Sequence, residues 1–243
     1  MNLALDIGNT KIKWGLFDDN GLICRGVFSS GNSVPSYLKS KDIKAVVFCA
    51  SGNKESKLIR FLNRFQWILD IDKIPIPFKT DYQTPETLGK DRVAAIAGAS
   101  IFFNDQDLLI IDTGTCITFD FLRNDGVHTG GTISPGLKMR WQAMNYFTEK
   151  LPLIKNSPKK LSPNARSTIS AIEQGAFLGI LYEIEGYISY FEHLYPKLKI
   201  LITGGDAPLF VKFIKLQIFA EPNLVLEGLN QILKNYAAKK GWN

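Results

Sequence analysis

Two short segments of the 243-residue chain join an acid to turn-forming residues in a way suited to phosphate chemistry. In the first, Asp6-Ile7-Gly8-Asn9-Thr10-Lys11-Ile12-Lys13, an apolar strand ends on a carboxylate just before a Gly turn. Gly8, Asn9 and Thr10 can turn backbone N–H groups and a hydroxyl toward an anion, and Lys11 or Lys13 can add positive charge. The second, Asp112-Thr113-Gly114-Thr115, repeats the acid, the Gly and the Thr 106 residues later. Hard divalent cations prefer oxygen ligands, so Asp6 is the natural carboxylate to hold Mg²⁺, directly or through water. A third segment, Gly89-Lys90-Asp91-Arg92, sets a carboxylate at the start of an expected helix. Gly89 there allows close backbone approach, Asp91 can accept a hydroxyl proton, and Arg92 can grip a carboxylate in bidentate fashion. The lesser alternative is that Asp91 is only a first-turn acid favoured by the helix dipole, with Arg92 as an ordinary ion-pair partner.

Such residues need strand ends and a helix start to hold them. Each acid-Gly turn is followed by an alternating strand, Lys11–Phe17 or Cys116–Leu122, and then by a turn signal, Asp18-Asp19-Asn20-Gly21 or Asn124-Asp125-Gly126. One such hairpin would pass for a surface turn. Two of them, followed by Gly204-Gly205 after the strand Ile200–Thr203, argue for internal duplication. The pattern predicts further strands at Leu22–Phe28, Ala45–Cys49 and Gly130–Ser134. Helices are expected at Lys54–Phe65, after Gly89, and at Leu137–Phe147, Ser167–Leu194 and Leu226–Tyr236. Strands first and then alternation with helices make an α/β protein. The repeat puts the lobe boundary at 107, giving an N-terminal lobe over 1–107 and a C-terminal lobe over 108–243.

Composition narrows the classes of function. No apolar run approaches the roughly 20 residues of a membrane-spanning helix. The opening Met1–Asp6 lacks the basic region of a secretory signal, so a cytoplasmic protein is expected. Three cysteines, Cys24, Cys49 and Cys116, and two histidines, His128 and His193, offer neither a disulfide framework nor a zinc ligand set. The net charge of +6 is spread along the chain, which reads as solvated surface with no nucleic-acid footprint and no membrane partner expected.

The paired Asp-x-Gly motifs and the late Gly-Gly turn resemble the ATP-binding lobes of the actin, sugar-kinase and Hsp70 superfamily. More narrowly, DIGNTKIK at Asp6–Lys13, YQTPETLGKDR at Tyr82–Arg92, DTGT at Asp112–Thr115 and GGTISPGL at Gly130–Leu137 resemble type III pantothenate kinase. So do STISAIEQG at Ser167–Gly175, TGGDA at Thr203–Ala207 and LVLEGL at Leu224–Leu229. The resemblance implies two ribonuclease H-like lobes about a central cleft, and transfer of the ATP γ-phosphate to pantothenate, the first step of coenzyme A synthesis. It implies ATP contacts at Asp6, Ile7, Gly8, Asn9, Thr10, Lys11, Ile12, Lys13, Thr115, Gly204 and Gly205. Asp91 would be the proton acceptor, and Tyr82, Gly89, Lys90, Asp91 and Arg92 would line the pantothenate pocket. Asp112 matches the position of a monovalent cation, K⁺ or NH₄⁺. Thr168 matches a substrate contact supplied by a partner subunit, which implies a homodimer, although Ser167 or Thr168 reads as well as a helix N-cap. Cys116 departs from the family's small residue and is read as a buried small hydrophobe. Two rival functions share the fold: a noncatalytic accessory factor for transcription, and another small-molecule kinase that would lack the Tyr82–Arg92 segment.

Overall fold

The structure is a computed structural model that describes residues 1–8, 11–29, 35–50, 56–158 and 160–242, with the backbone alone at 56, 57 and 59. In chain order the strands are β1 (Asn2–Ile7), β2 (Lys11–Asp18), β3 (Gly21–Ser29), β4 (Ala45–Ala50), β5 (Trp67–Asp70), β6 (Lys79–Thr80), β7 (Leu108–Thr113), β8 (Cys116–Leu122), β9 (Val127–Pro135), β10 (Lys199–Thr203) and β11 (Phe219–Ala220). The helices are α1 (Ser36–Lys39), α2 (Ser56–Leu62), α3 (Lys90–Phe102), α4 (Leu137–Tyr146), α5 (Thr168–Leu194), α6 (Ala207–Phe210) and α7 (Leu224–Lys240). Every strand and helix expected from the sequence has a counterpart; the start of the helix expected over 54–65 lies outside the described residues. The edge strands β5, β6 and β11 and the one-turn helices α1 and α6 carry too few residues to show a period, and the sequence reading lacks them.

The chain forms two compact units, Met1–Asn104 with Gly126–His128 and Asn223–Asn243, and Asp105–Asp125 with Thr129–Pro222. In the first unit the sheet order is β3-β2-β1-β4-β5. The second sheet runs β11-β10-β7-β8-β9-β6, and its last pairing, Lys79 with Val127 and Thr80 with His128, lies wholly within the first unit. Counted from each repeat's own first strand, and leaving aside β6 at the edge of the second, both sheets read 3-2-1-4-5. In both, the first two strands are antiparallel and the fourth joins parallel to the first. The duplication seen in the two motifs is therefore a duplication of topology.

In the first unit both faces of β1 are covered. Leu3, Leu5 and Ile7 join Leu38, Val46, Phe48, Leu58 and Phe61 in one core cluster. On the other face, α3 and α7 approach so closely that a Cβ on Gly228 would overlap the Ala94 carbonyl and one on Gly98 the Leu224 carbonyl. This contact corrects the lobe boundary: residues 224–240, grouped from chain order with the C-terminal lobe, pack in the first unit. The reason is the apolar face of α7, with Leu224, Val225, Leu226, Leu229, Ile232 and Leu233 buried. The core of the second unit lies between its sheet and α5, where Ile172, Phe177, Ile180, Ile184 and Ile188 meet Leu109, Ile111, Phe119, Ile200 and Ile202. No helix among the described residues is long and apolar enough to cross a membrane.

Candidate active site

In the first unit, register alone brings three functional side chains into a row. Asp6 on β1 is paired with Lys13 on β2 and with Cys49 on β4, and directly paired residues point to the same face of a sheet. Lys13 Nζ stands 3.5 Å from Asp6 Oδ2, and Cys49 Sγ donates to Asp6 Oδ1 at 3.7 Å. The Asp6 side chain is 15% exposed. Burial is the largest influence on its carboxyl and raises the pKa; Lys13 opposes this, and the charge of Asp91 raises it further. Burial likewise pushes the Cys49 thiol well above its ordinary value, with Asp6 and Asp91 adding to the shift. The Asp91 carboxylate, from a separate element, is thus close enough for its charge to reach Asp6, an excess of negative charge that suits a divalent cation.

The hairpin after Asp6 closes through the Gly8 N–H, which donates to the Lys11 carbonyl at 3.0 Å. Asn9 and Thr10 lie outside the described residues. The side chains of Ile7 and Ile12 are 0% and 1% exposed, so only their backbone is left to serve the loop, whereas Lys11 is exposed.

Asp91 occupies the first turn of α3, next to the N-cap Gly89, where the helix dipole favours a negative charge. Its Oδ1 accepts the Arg92 N–H at 2.8 Å, and a Cβ on Gly89 would come within 2.7 Å of the same oxygen. Lys90 is partly buried. Arg92 is 5% exposed, and its guanidinium lies over the Tyr82 ring, 5.6 Å from the centroid. Tyr82 in turn stacks on His128 at 6.1 Å. His128 was considered in the sequence only as a metal ligand; its partnership with Tyr82 rests on the β6–β9 pairing, which no local pattern discloses.

In the second unit the equivalent row is Thr118, Asp112 and Thr203, so two hydroxyl-bearing residues flank this carboxylate where Lys13 and Cys49 flank Asp6. The turn is one residue shorter: the Gly114 N–H donates to the Cys116 carbonyl at 3.0 Å. Gly204, with φ +100°, closes on this turn; a Cβ there would overlap the Thr113 carbonyl and lie 2.5 Å from Asp112 Oδ1. Gly136 is equally confined, its N–H donating to the Thr115 carbonyl at 3.0 Å and its missing Cβ leaving room for the Gly114 carbonyl. Asp112, Gly114, Thr115, Gly136 and Gly204 therefore form one backbone-lined niche, with Thr115 and Gly205 exposed. The Asp206 N–H anchors the Gly-Gly turn on the Thr113 carbonyl at 2.9 Å. Cys116 is partly buried rather than a core residue. Thr168 is exposed at the start of α5, and the helix cap is Ser167, whose side chain accepts the Ser170 N–H in a capping box. The described residues contain no cluster of three or more His, Cys, Asp or Glu that could hold a metal by itself.

A 3-2-1-4-5 sheet used twice, with an acid-Gly turn at the end of each first strand, defines the ATPase fold shared by actin, sugar kinases and Hsp70. Among solved structures, the ROK family glucokinase of Streptomyces griseus, in complex with glucose and AMPPNP, has this fold with a TM-score of 0.52 at 11% identity, covering 96% of this chain and 99% of its own. A Campylobacter jejuni protein described as a conserved Baf family transcriptional activator gives a TM-score of 0.66 at 22% identity, covering 97% and 99%. At such identities these two likenesses speak for the fold alone. The chain belongs to the type III pantothenate kinase family, whose model matches residues 2–190. The type III pantothenate kinase of Bacteroides fragilis is 40% identical over 241 residues, covering 97% of this chain and 98% of that protein. That of Phocaeicola vulgatus is 38% identical over 237 residues, covering 96% and 98%.

Proposed function

We propose that this protein transfers the γ-phosphoryl group of ATP to the primary hydroxyl of pantothenate, giving 4′-phosphopantothenate and ADP. The observation that carries this reading is the placing of two carboxylates in the first unit, Asp6 at a strand end and Asp91 at a helix start, with the charge of Asp91 reaching Asp6. Phosphoryl transfer through a loose transition state needs mainly positioning and charge neutralisation. Asp91 accepts the proton of the hydroxyl, whose oxygen attacks the γ-phosphorus while ADP leaves with the electron pair of the broken bond. In the first unit, Lys13 and the backbone of the Gly8 turn suit phosphate oxygens; in the second, the niche around Gly114, Thr115 and Gly204, with Gly205 at its rim, suits a nucleotide. Tyr82, Gly89, Lys90 and Arg92 line the pantothenate pocket.

A divalent ion such as Mg²⁺, which Asp6 would hold directly or through water, would offset the charge of the phosphates. A monovalent cation, K⁺ or NH₄⁺, suits Asp112. The carboxylate's row partners are hydroxyl residues, and Gly204 keeps open a space edged by Asp112 Oδ1 and the Thr113 carbonyl. We further propose a homodimer in which Thr168 serves the partner's site. In support, α5 leaves Ile169, Tyr182, Tyr190 and Leu194 exposed at 51–62%. The substrates are those of the cytoplasm, where we place the enzyme.

The test is ADP release by the purified protein with MgATP and, in turn, pantothenate, acetate and hexoses. Turnover with pantothenate alone, rising with added K⁺ or NH₄⁺, is expected. Turnover with a sugar or acetate but not pantothenate would overturn the substrate assignment.

A further inference from the structure

We infer that His128 is a positioning residue for the pantothenate pocket, acting through Tyr82; the inference rests on the substrate reading above. His128 is fully buried at the start of β9 and is held from several directions. Its Nδ1 lies 2.9 Å from Thr80 Oγ1, and its backbone carbonyl accepts the Asp81 N–H at 2.8 Å. The Thr80 oxygen also accepts the Tyr82 N–H at 3.1 Å. The imidazole thus fixes the backbone of residues 80–82 through Thr80 and the Tyr82 ring by stacking at 6.1 Å. Phe78 meets the imidazole edge-on at 5.9 Å, bracing it from the same segment.

The consequence falls on the two side chains that face substrate in the proposed pocket. Tyr82 sits between the two-residue strand β6 and a single 3₁₀ turn over Pro85–Thr87, with no α-helix or longer strand of its own to hold it. Without the histidine, its ring would have, among the described residues, the Arg92 guanidinium as its one aromatic or cation–π neighbour. Positioning residues act on the affinity for the part of the substrate they organise and leave the rest of the reaction alone. His128 belongs to the first unit, as do Tyr82, Arg92 and Asp91, so its effect falls on the pantothenate side of the reaction.

Steady-state kinetics of five variants test this. In His128→Ala the KM for pantothenate is expected to rise about tenfold, with kcat and the KM for ATP within about twofold of wild type. His128→Phe, which keeps a ring beneath Tyr82, should recover most of the loss, and His128→Asn, which keeps a polar atom for Thr80 but no ring, should recover less. In a Tyr82→Ala background, adding His128→Ala should change the pantothenate KM no further, because the two act as one unit. An unchanged pantothenate KM in His128→Ala, a parallel loss in kcat and both KM values, or additive effects with Tyr82→Ala would overturn the inference while leaving the substrate reading intact. A wild-type protein without pantothenate turnover would overturn both.

Discussion

Lys13 stands directly opposite Asp6 across the β1–β2 ladder, its Nζ 3.5 Å from the carboxylate, whereas the same station opposite Asp112 is held by Thr118. The two acid-Gly turns therefore differ in kind despite their common ancestry in topology. The first carries its own cation and a second carboxylate nearby; the second presents an acid among hydroxyls and backbone carbonyls. That asymmetry is the ground on which we propose phosphate and divalent-metal handling at the first turn, and nucleotide and monovalent-ion binding at the second.

Asp6 holds a charge that the fold does not favour. Its carboxyl is raised above the ordinary 3.8, chiefly by burial, so between that value and the folded one the native state binds more protons than the unfolded state. Stability then falls as pH rises through this window, and the ionised Asp6 is a cost at neutral pH. Asp6→Asn in metal-free buffer is expected to raise the melting temperature at pH 7, with the gain vanishing below about pH 3.8, while activity with MgATP falls by a factor of roughly a hundred or more. Calorimetry across pH, beside the activity assay, checks both halves.

The α3–α7 contact is a matter of bare backbone. Gly228→Ala would drive a methyl into the Ala94 carbonyl, and neither helix can withdraw without opening the apolar face of α7. A loss of about 3 kcal/mol or more is expected in urea denaturation. A loss under about 0.5 kcal/mol would mean that the helices yield easily.

Gly204→Ala combines a left-handed backbone, φ +100°, with overlap of the Thr113 carbonyl and Asp112. Its effect should concentrate on the second turn, with a rise of roughly tenfold or more in the KM for ATP and a loss of activation by K⁺, while the pantothenate KM moves little.

If Thr168 serves the partner's site, Thr168→Ala and Asp91→Asn damage different halves of each site. Mixing the two weakly active variants under conditions of subunit exchange should restore about a quarter of wild-type activity, since half the dimers are hybrids with one intact site. Absence of any recovery, with exchange shown by mass spectrometry, would place Thr168 in its own subunit's chemistry or in none.

Much of this was legible in the chain because it is local. Asp6, Asp112 and Asp91 sit in segments whose turn residues and periods declare a strand end or a helix start. The register partners were legible once the hairpins were, since a short turn fixes which residues face each other. What stayed hidden depends on long-range contact. Cys49 reaches Asp6 only because β4 joins β1 in parallel, and His128 reaches Tyr82 only because β6 joins β9. The place of α7 was misread for the same reason: chain order assigns it to the second repeat, and only its packing on α3 returns it to the first. Arg92 was read as a carboxylate grip or an ordinary ion-pair partner, and its contact with Tyr82 and burial to 5% exposure were not visible from the sequence.

The most direct test of the central claim is the mass spectrum of the product formed from pantothenate and MgATP by the wild-type protein and by Asp91→Asn in parallel. The account predicts 4′-phosphopantothenate in a one-to-one ratio with ADP for the wild type, and a fall of roughly 10²–10⁴-fold in its rate for Asp91→Asn, with the pantothenate KM little changed. Phosphopantothenate formed at an undiminished rate by Asp91→Asn, or none formed by the wild type, would contradict it.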